Sequence, residues 1–121
     1  MDEQRVTPER IEDLADDEIF VFGSNDSGQH GAGAALLAYQ RFGAVWGQGH
    51  GPMGQSYGIS TMEGFELFRR NAAEFNRFAS AHPELTFLLT KVGCGIAGYT
   101  EAQVAPLFAE APPNVVKPEG W

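Results

Sequence analysis

Two hydrophobic spacings alternate along this chain. Ile19-Phe20-Val21-Phe22 and Thr86-Phe87-Leu88-Leu89-Thr90-Lys91-Val92 are short and almost wholly apolar, as strands covered on both faces would be. Between them, apolar residues recur at helical spacing. Ala32, Ala34, Ala35, Leu36, Ala38, Tyr39 and Phe42 predict a helix from about Gly31, with Gly43 as its stop. Phe65, Phe68, Ala72, Phe75, Phe78 and Ala79 form an apolar stripe, with Arg69, Arg70, Glu74 and Arg77 largely opposite. That stripe predicts a helix over Glu63–Ala81, which Pro83 ends. Ser56–Thr61 and Asn114–Lys117 read as further short strands. Thr100 is placed to cap a helix over Glu101–Phe108. Thr7 followed by Pro8 predicts a short first helix through about Ala15, because Pro is favoured at the first helical position.

Strands alternating with helices require crossover connections. The expected fold is therefore α/β, a three-layer α/β/α sandwich around a small mixed, mostly parallel sheet. Residues 1–121 read as one domain, a size that can bury a core without disulfides or metal. Ala44–Gly54 is glycine-rich, but Trp46, Pro52 and Met53 make it too apolar for a flexible linker, so an ordered loop is expected. Ligands of such folds gather at the carboxyl ends of the strands.

Charge and cysteine use narrow the function. The net charge of −8 argues against a general nucleic-acid or membrane surface. Eight of the sixteen carboxylates fall within residues 1–18, which reads as a solvated acidic face. Cys94 is the only cysteine, so no internal disulfide forms and a reducing, cytoplasmic location is expected. The start of the chain lacks a basic segment followed by an apolar run, and no apolar stretch approaches the roughly 20 residues of a membrane span.

In contrast, Ser27–Met62 contains no Asp or Glu and holds nine of the fifteen glycines. The loop after Phe22 runs into a helix of small residues, and a second glycine loop, Gly93–Tyr99, follows the strand that ends at Val92. Backbone amides in such loops, with a helix N-terminus, suit phosphate or another anion, whereas a carboxylate there would repel it. Tight turns and close helix–sheet packing also use glycine. Two such loops on one sheet edge point to a diphosphate or nucleotide. The dinucleotide fingerprint fails, because Gly31-Ala32-Gly33-Ala34-Ala35-Leu36 lacks its third glycine and no acid follows about 20 residues on. The Walker pattern fails for want of a Gly-Lys-Ser/Thr sequence. His30, His50 and Cys94 are too widely spaced to suggest zinc, and no metal or cofactor is expected.

Phe22-Gly23-Ser24-Asn25, His30-Gly31-Ala32-Gly33-Ala34-Ala35 and Val92-Gly93-Cys94-Gly95-Ile96-Ala97-Gly98-Tyr99, taken in that order, resemble the macrodomain superfamily of ADP-ribose-binding modules. The likeness is greatest to compact macro-like proteins of bacteria and phages, and it runs from about Ile19 to Phe108. It implies that Asn25 meets the distal ribose, with Gly23 and Ser24 beside it. It implies that Gly31, Ala32 and Gly33 follow the diphosphate, and that Gly93, Cys94, Gly95, Ile96, Ala97 and Gly98 close over it. Tyr99 would pack against the distal ribose. The implied partner is ADP-ribose or an ADP-ribosylated substrate, with nucleic acid entering only as such a substrate. The acid that reads adenine in the superfamily has no clear counterpart beyond Asp2 and Glu3, and the catalytic Asp of its first loop is missing.

An enzyme reading assigns Asn25, with His30 or Asp26, to position water at the anomeric carbon of an ADP-ribosyl bond. A binding module needs only the loops. In a third reading, the protein is a non-catalytic interaction protein whose glycine loops serve packing. Asn25 is also a common turn residue, and His30 either faces the ligand or caps its loop. Lys91 meets a phosphate, reaches the sugar as a nucleophile as a lysine does in one hydrolase branch of the superfamily, or snorkels to solvent at an edge. Trp46, Met53 and Tyr57 either line a base slot or pack in the core.

Overall fold

The computed structural model describes residues 5–121. Five strands form one sheet: β1 (Glu18–Ser24), β2 (Gly51–Met53), β3 (Ser56–Ser60), β4 (Thr86–Leu89) and β5 (Val115–Val116). Three helices join them: α1 (Gly33–Arg41), α2 (Phe65–Ala81) and α3 (Glu101–Val104), the last continued by a 3-10 turn over Ala105–Phe108. The strand order is β2-β3-β1-β4-β5. β1 lies parallel to both β3 and β4, β4 is parallel to β5, and only β2 runs antiparallel. The fold is therefore the expected α/β sandwich on a mixed, mostly parallel sheet.

The alternation of β1 explains the layers. Ile19 and Val21 point into one core with Tyr57, Ile59, Phe87 and Leu89. Phe20 and Phe22 point into the other, with Leu88, Met53 and Phe42. The first core is closed by α2, whose Phe68, Ala72, Phe75 and Ala79 recur at helical spacing and are fully buried, and by Val104 and Phe108. The second is closed by α1 through Ala38. Burying a Phe or Leu side chain contributes about 1.5–3 kcal/mol, so these two faces hold the sheet between its helices. No helix among the described residues is long and apolar enough to cross a membrane.

Three local expectations are corrected. No helix forms over Thr7–Ala15. Instead Val6 bridges Lys117, the Thr7 amide donates to the Lys117 carbonyl at 2.8 Å, and the Thr7 hydroxyl donates to the Val116 carbonyl at 2.9 Å. A helix that short is marginal in water, and pairing with β5 satisfies the same groups. The Ala44–Gly54 loop is ordered, but its last residues form β2 against β3. The helix after Thr100 leaves α geometry at Ala105, where Pro106 supplies no amide hydrogen. The Thr100 cap itself forms, with Gln103 completing a reciprocal capping box.

Candidate functional site

The chain leaves β1 towards α1 on one face of the sheet, whereas β3 and β4 both lead to elements packed on the other. A crevice opens where neighbouring connections diverge in this way, outside the carboxyl ends of the strands. A cleft of about 620 Å³ lies there. That volume is in the range of small-molecule and cofactor sites. Ser24 and Asn25 reach it from β1, Thr61 and Met62 from β3, and Lys91 and Gly93 from β4. Gly31–Ala35 and Gly95–Ala97 form its loop walls, and Trp46 borders it from the long loop.

The two glycine loops present amides. α1 opens at Ala32 with no side-chain cap and no acid in its first turn. The amides of Gly33, Ala34 and Ala35 have no hydrogen-bond acceptor among the described residues, and neither do those of Gly95, Ile96 and Ala97. Uncapped first-turn amides carry the positive end of the helix dipole. Among the described residues, no Asp or Glu lines the cleft, and its single cationic side chain is Lys91, paired with Glu101 at 3.2 Å. The electrostatics of the lining therefore favour an anion.

The glycines divide by what surrounds them. A Cβ on Gly28 would stand 2.3 Å from the Gln48 amide nitrogen, and one on Gly93 would stand 2.5 Å from the Phe68 ring. These two serve close packing. Gly31, Gly33, Gly95 and Gly98 have nothing within 4 Å of that position, so packing does not account for them.

The expected site residues are brought together unevenly. Gly23, Ser24 and Asn25 border the cleft, as do Gly31, Ala32 and Gly33 of the first loop and Gly93, Gly95, Ile96 and Ala97 of the second. Cys94, Gly98 and Tyr99 do not. Tyr99 packs its ring against Phe65 and Phe68, at 5.3 and 5.7 Å between centroids. Burial pushes the Cys94 thiol above the ordinary cysteine range, and the Glu101 carboxylate adds to the effect, so little reactive thiolate forms at neutral pH.

Asn25 spends its side chain on its own loop. Its Oδ1 accepts from the Ser27 hydroxyl at 2.7 Å and the Gln29 amide at 3.1 Å, and its Nδ2 donates to the Gln29 carbonyl at 3.1 Å. His30 is fully buried and is absent from the cleft lining. Its Nε2 faces the carbonyls of Val45 at 2.8 Å and Gln48 at 3.0 Å, so that nitrogen carries the hydrogen. Asp26 is also outside the lining. Its Oδ1 accepts from the Ser60 hydroxyl at 2.8 Å, and its amide donates to Glu63. Ser60 also reaches the Glu63 carboxylate. Sequence reading missed the link of Asp26 to Ser60 and Glu63 because these partners lie 34 and 37 residues away, and only the parallel pairing of β1 with β3 makes them neighbours.

A second concavity of about 580 Å³ lies beside β5, lined by Arg5, Lys117 and several prolines. Its cations are engaged elsewhere, Arg5 with Glu18 at 2.6 Å and Lys117 with the Phe108 carbonyl at 3.1 Å. Of these two concavities, the strand-end cleft is the one whose lining residues carry amides without an acceptor. No group of three or more metal-ligating side chains occurs among the described residues. In comparison with known proteins, no family model matches this chain, and neither a curated protein nor a solved structure matches it.

Proposed function

We propose that the protein binds ADP-ribose or a related nucleotide diphosphate in the strand-end cleft. One observation carries the reading: among the described residues, the lining of the cleft includes Lys91 and six glycine-loop residues whose amides have no acceptor, and it includes no carboxylate. Each amide given to a phosphate oxygen forms a charge-assisted hydrogen bond, worth about 1.5–3 kcal/mol before the costs of association. The resemblance of the ordered loops to macrodomains supplies the ligand class. In this reading Gly31–Gly33 and Gly95–Ala97 hold the diphosphate, Lys91 adds charge, and Asn25 shapes the loop beneath the ribose.

This reading is of binding rather than turnover. Among the described residues, no acid borders the cleft to act as a base, and Nε2 of His30 is committed to the long loop. Calorimetric titration tests the ligand class. ADP-ribose should bind more tightly than AMP, because the second phosphate and second ribose add contacts. Equal affinities, or no heat with either, overturn the assignment. Incubation with an ADP-ribosylated protein should release no ADP-ribose, and catalytic release would return Asn25, His30 and Asp26 to consideration as reacting groups.

A further inference from the structure

Large apolar side chains that stay exposed are concentrated at one place. Of the six among the described residues, Trp46, Met62 and Ile96 border the cleft, and Tyr39 and Val45 adjoin Trp46. Ile96 is 84% exposed and Trp46 is 52% exposed. Clustered exposure at the mouth of a polar cleft marks a surface that another apolar group covers.

Trp46 is exposed but fixed. It lies with Gly47 at the centre of a turn that the Gln48 amide closes onto the Val45 carbonyl at 3.2 Å. His30 Nε2 reaches the carbonyls at both ends of that turn. The Gly47 amide donates to the Gly28 carbonyl at 3.0 Å, which ties the turn to the first glycine loop. The indole meets the rings of Tyr39 and His30 in edge arrangements, at 5.4 and 6.1 Å. A half-exposed tryptophan held by its own backbone and by two aromatic neighbours loses little further freedom when a ligand covers it.

We propose that Trp46 forms a stacking wall for the nucleobase of the ligand. The proposal rests on the reading of the cleft as a nucleotide site and extends it to the base. A cleft of about 620 Å³ that offers amides at its loops and a flat π-surface at its rim matches a ligand with a phosphate group and an aromatic ring. Bases stack on aromatic side chains through their faces, so the contact needs no hydrogen-bonding side chain beside the indole. The fully buried His30 acts through the turn as a positioning residue.

The test uses the Trp121→Phe protein, in which Trp46 is the single tryptophan. The substituted residue packs on Phe108, and its Nε1 bonds Glu101, outside the cleft lining. ADP and ADP-ribose should quench Trp46 emission, whereas ribose 5-phosphate and pyrophosphate should bind without quenching. Trp46→Ala should weaken ADP-ribose binding by about tenfold and leave the affinity for pyrophosphate unchanged. Trp46→Phe should restore most of the loss. The melting temperature of Trp46→Ala should stay near that of the parent, since the ring is half exposed. Tight ADP-ribose binding with unchanged emission and an unaffected Trp46→Ala protein overturns the stacking wall while keeping the phosphate site. Failure of every phosphate-bearing probe to bind overturns the nucleotide reading and the wall with it.

Discussion

A Cβ added to Gly49 would stand 1.8 Å from the carbonyl oxygen of Asn25, closer than any side chain permits. The long loop therefore lies directly against the end of β1, and the two segments form one structural unit. Gly49→Ala should force them apart, at a cost of about 3 kcal/mol and a fall of roughly 10 °C in melting temperature. Thermal melting checks this, with Gly31→Ala as the reference: its added methyl meets nothing within 4 Å and should leave the melting temperature unchanged. Equal melting of the two variants would show that the loops do not touch.

Gly95 lies in open space and outside the left-handed region, so a side chain there costs the fold little. Gly95→Glu should keep the parent melting temperature and abolish ADP-ribose binding, because a carboxylate would occupy the space before the free amides of Gly95–Ala97. Calorimetry on the folded variant measures this. Binding at parental affinity removes the second loop from the phosphate site.

Lys91 is held by Glu101, and that carboxylate is itself kept below the ordinary range by the Trp121 indole hydrogen bond and then by Lys91. Lys91→Met should weaken ADP-ribose binding about fivefold and flatten its dependence on salt, as loss of one exposed cation would. Glu101→Gln should act in the opposite direction by freeing the ammonium. Titrations at two ionic strengths read both effects, and unchanged affinity in both variants assigns the pair to the surface alone.

Asn25→Ala removes three hydrogen bonds that organise residues 25–29. Each contributes about 1 kcal/mol, so stability and binding should fall together. Asn25→Asp preserves the Oδ1 acceptor but removes the Nδ2 donor and brings a negative charge to the cleft, so its binding should fall further than its melting temperature. A variant that loses binding with no loss of stability would move Asn25 from loop support to direct ligand contact.

The Cys94 thiol titrates above the ordinary cysteine range, so its thiolate forms at higher pH than that of a free cysteine. Alkylation should be slow at pH 7 and should accelerate with a midpoint above that of a model thiol. Cys94→Ser should bind ADP-ribose like the parent. Rapid alkylation at neutral pH, blocked by ADP-ribose, would place a reactive nucleophile in the cleft.

The chain order by itself determined the elements that rest on hydrophobic period. The α2 stripe from Phe65 to Ala79 and the apolar runs of β1 and β4 need no knowledge of their partners, because burial on one or two faces imprints its spacing locally. Glycine loops placed after two such runs also located the strand ends where the cleft opens. Where backbone groups found long-range partners, local signals misled. Thr7 carried a helix cap signal, yet its amide bonds Lys117 and its hydroxyl bonds Val116 of β5, more than a hundred residues away. The functional candidates were separated only by packing. Asn25 reaches the cleft with its amide consumed, His30 turns into the core to hold the Trp46 turn, and Asp26 joins Ser60 and Glu63 off the lining. Residue type announced polar chemistry at each of these positions. Which face each side chain took followed from strand register and from the close approach of Gly28 and Gly49 to their neighbours, and those contacts exist only once the sheet has assembled.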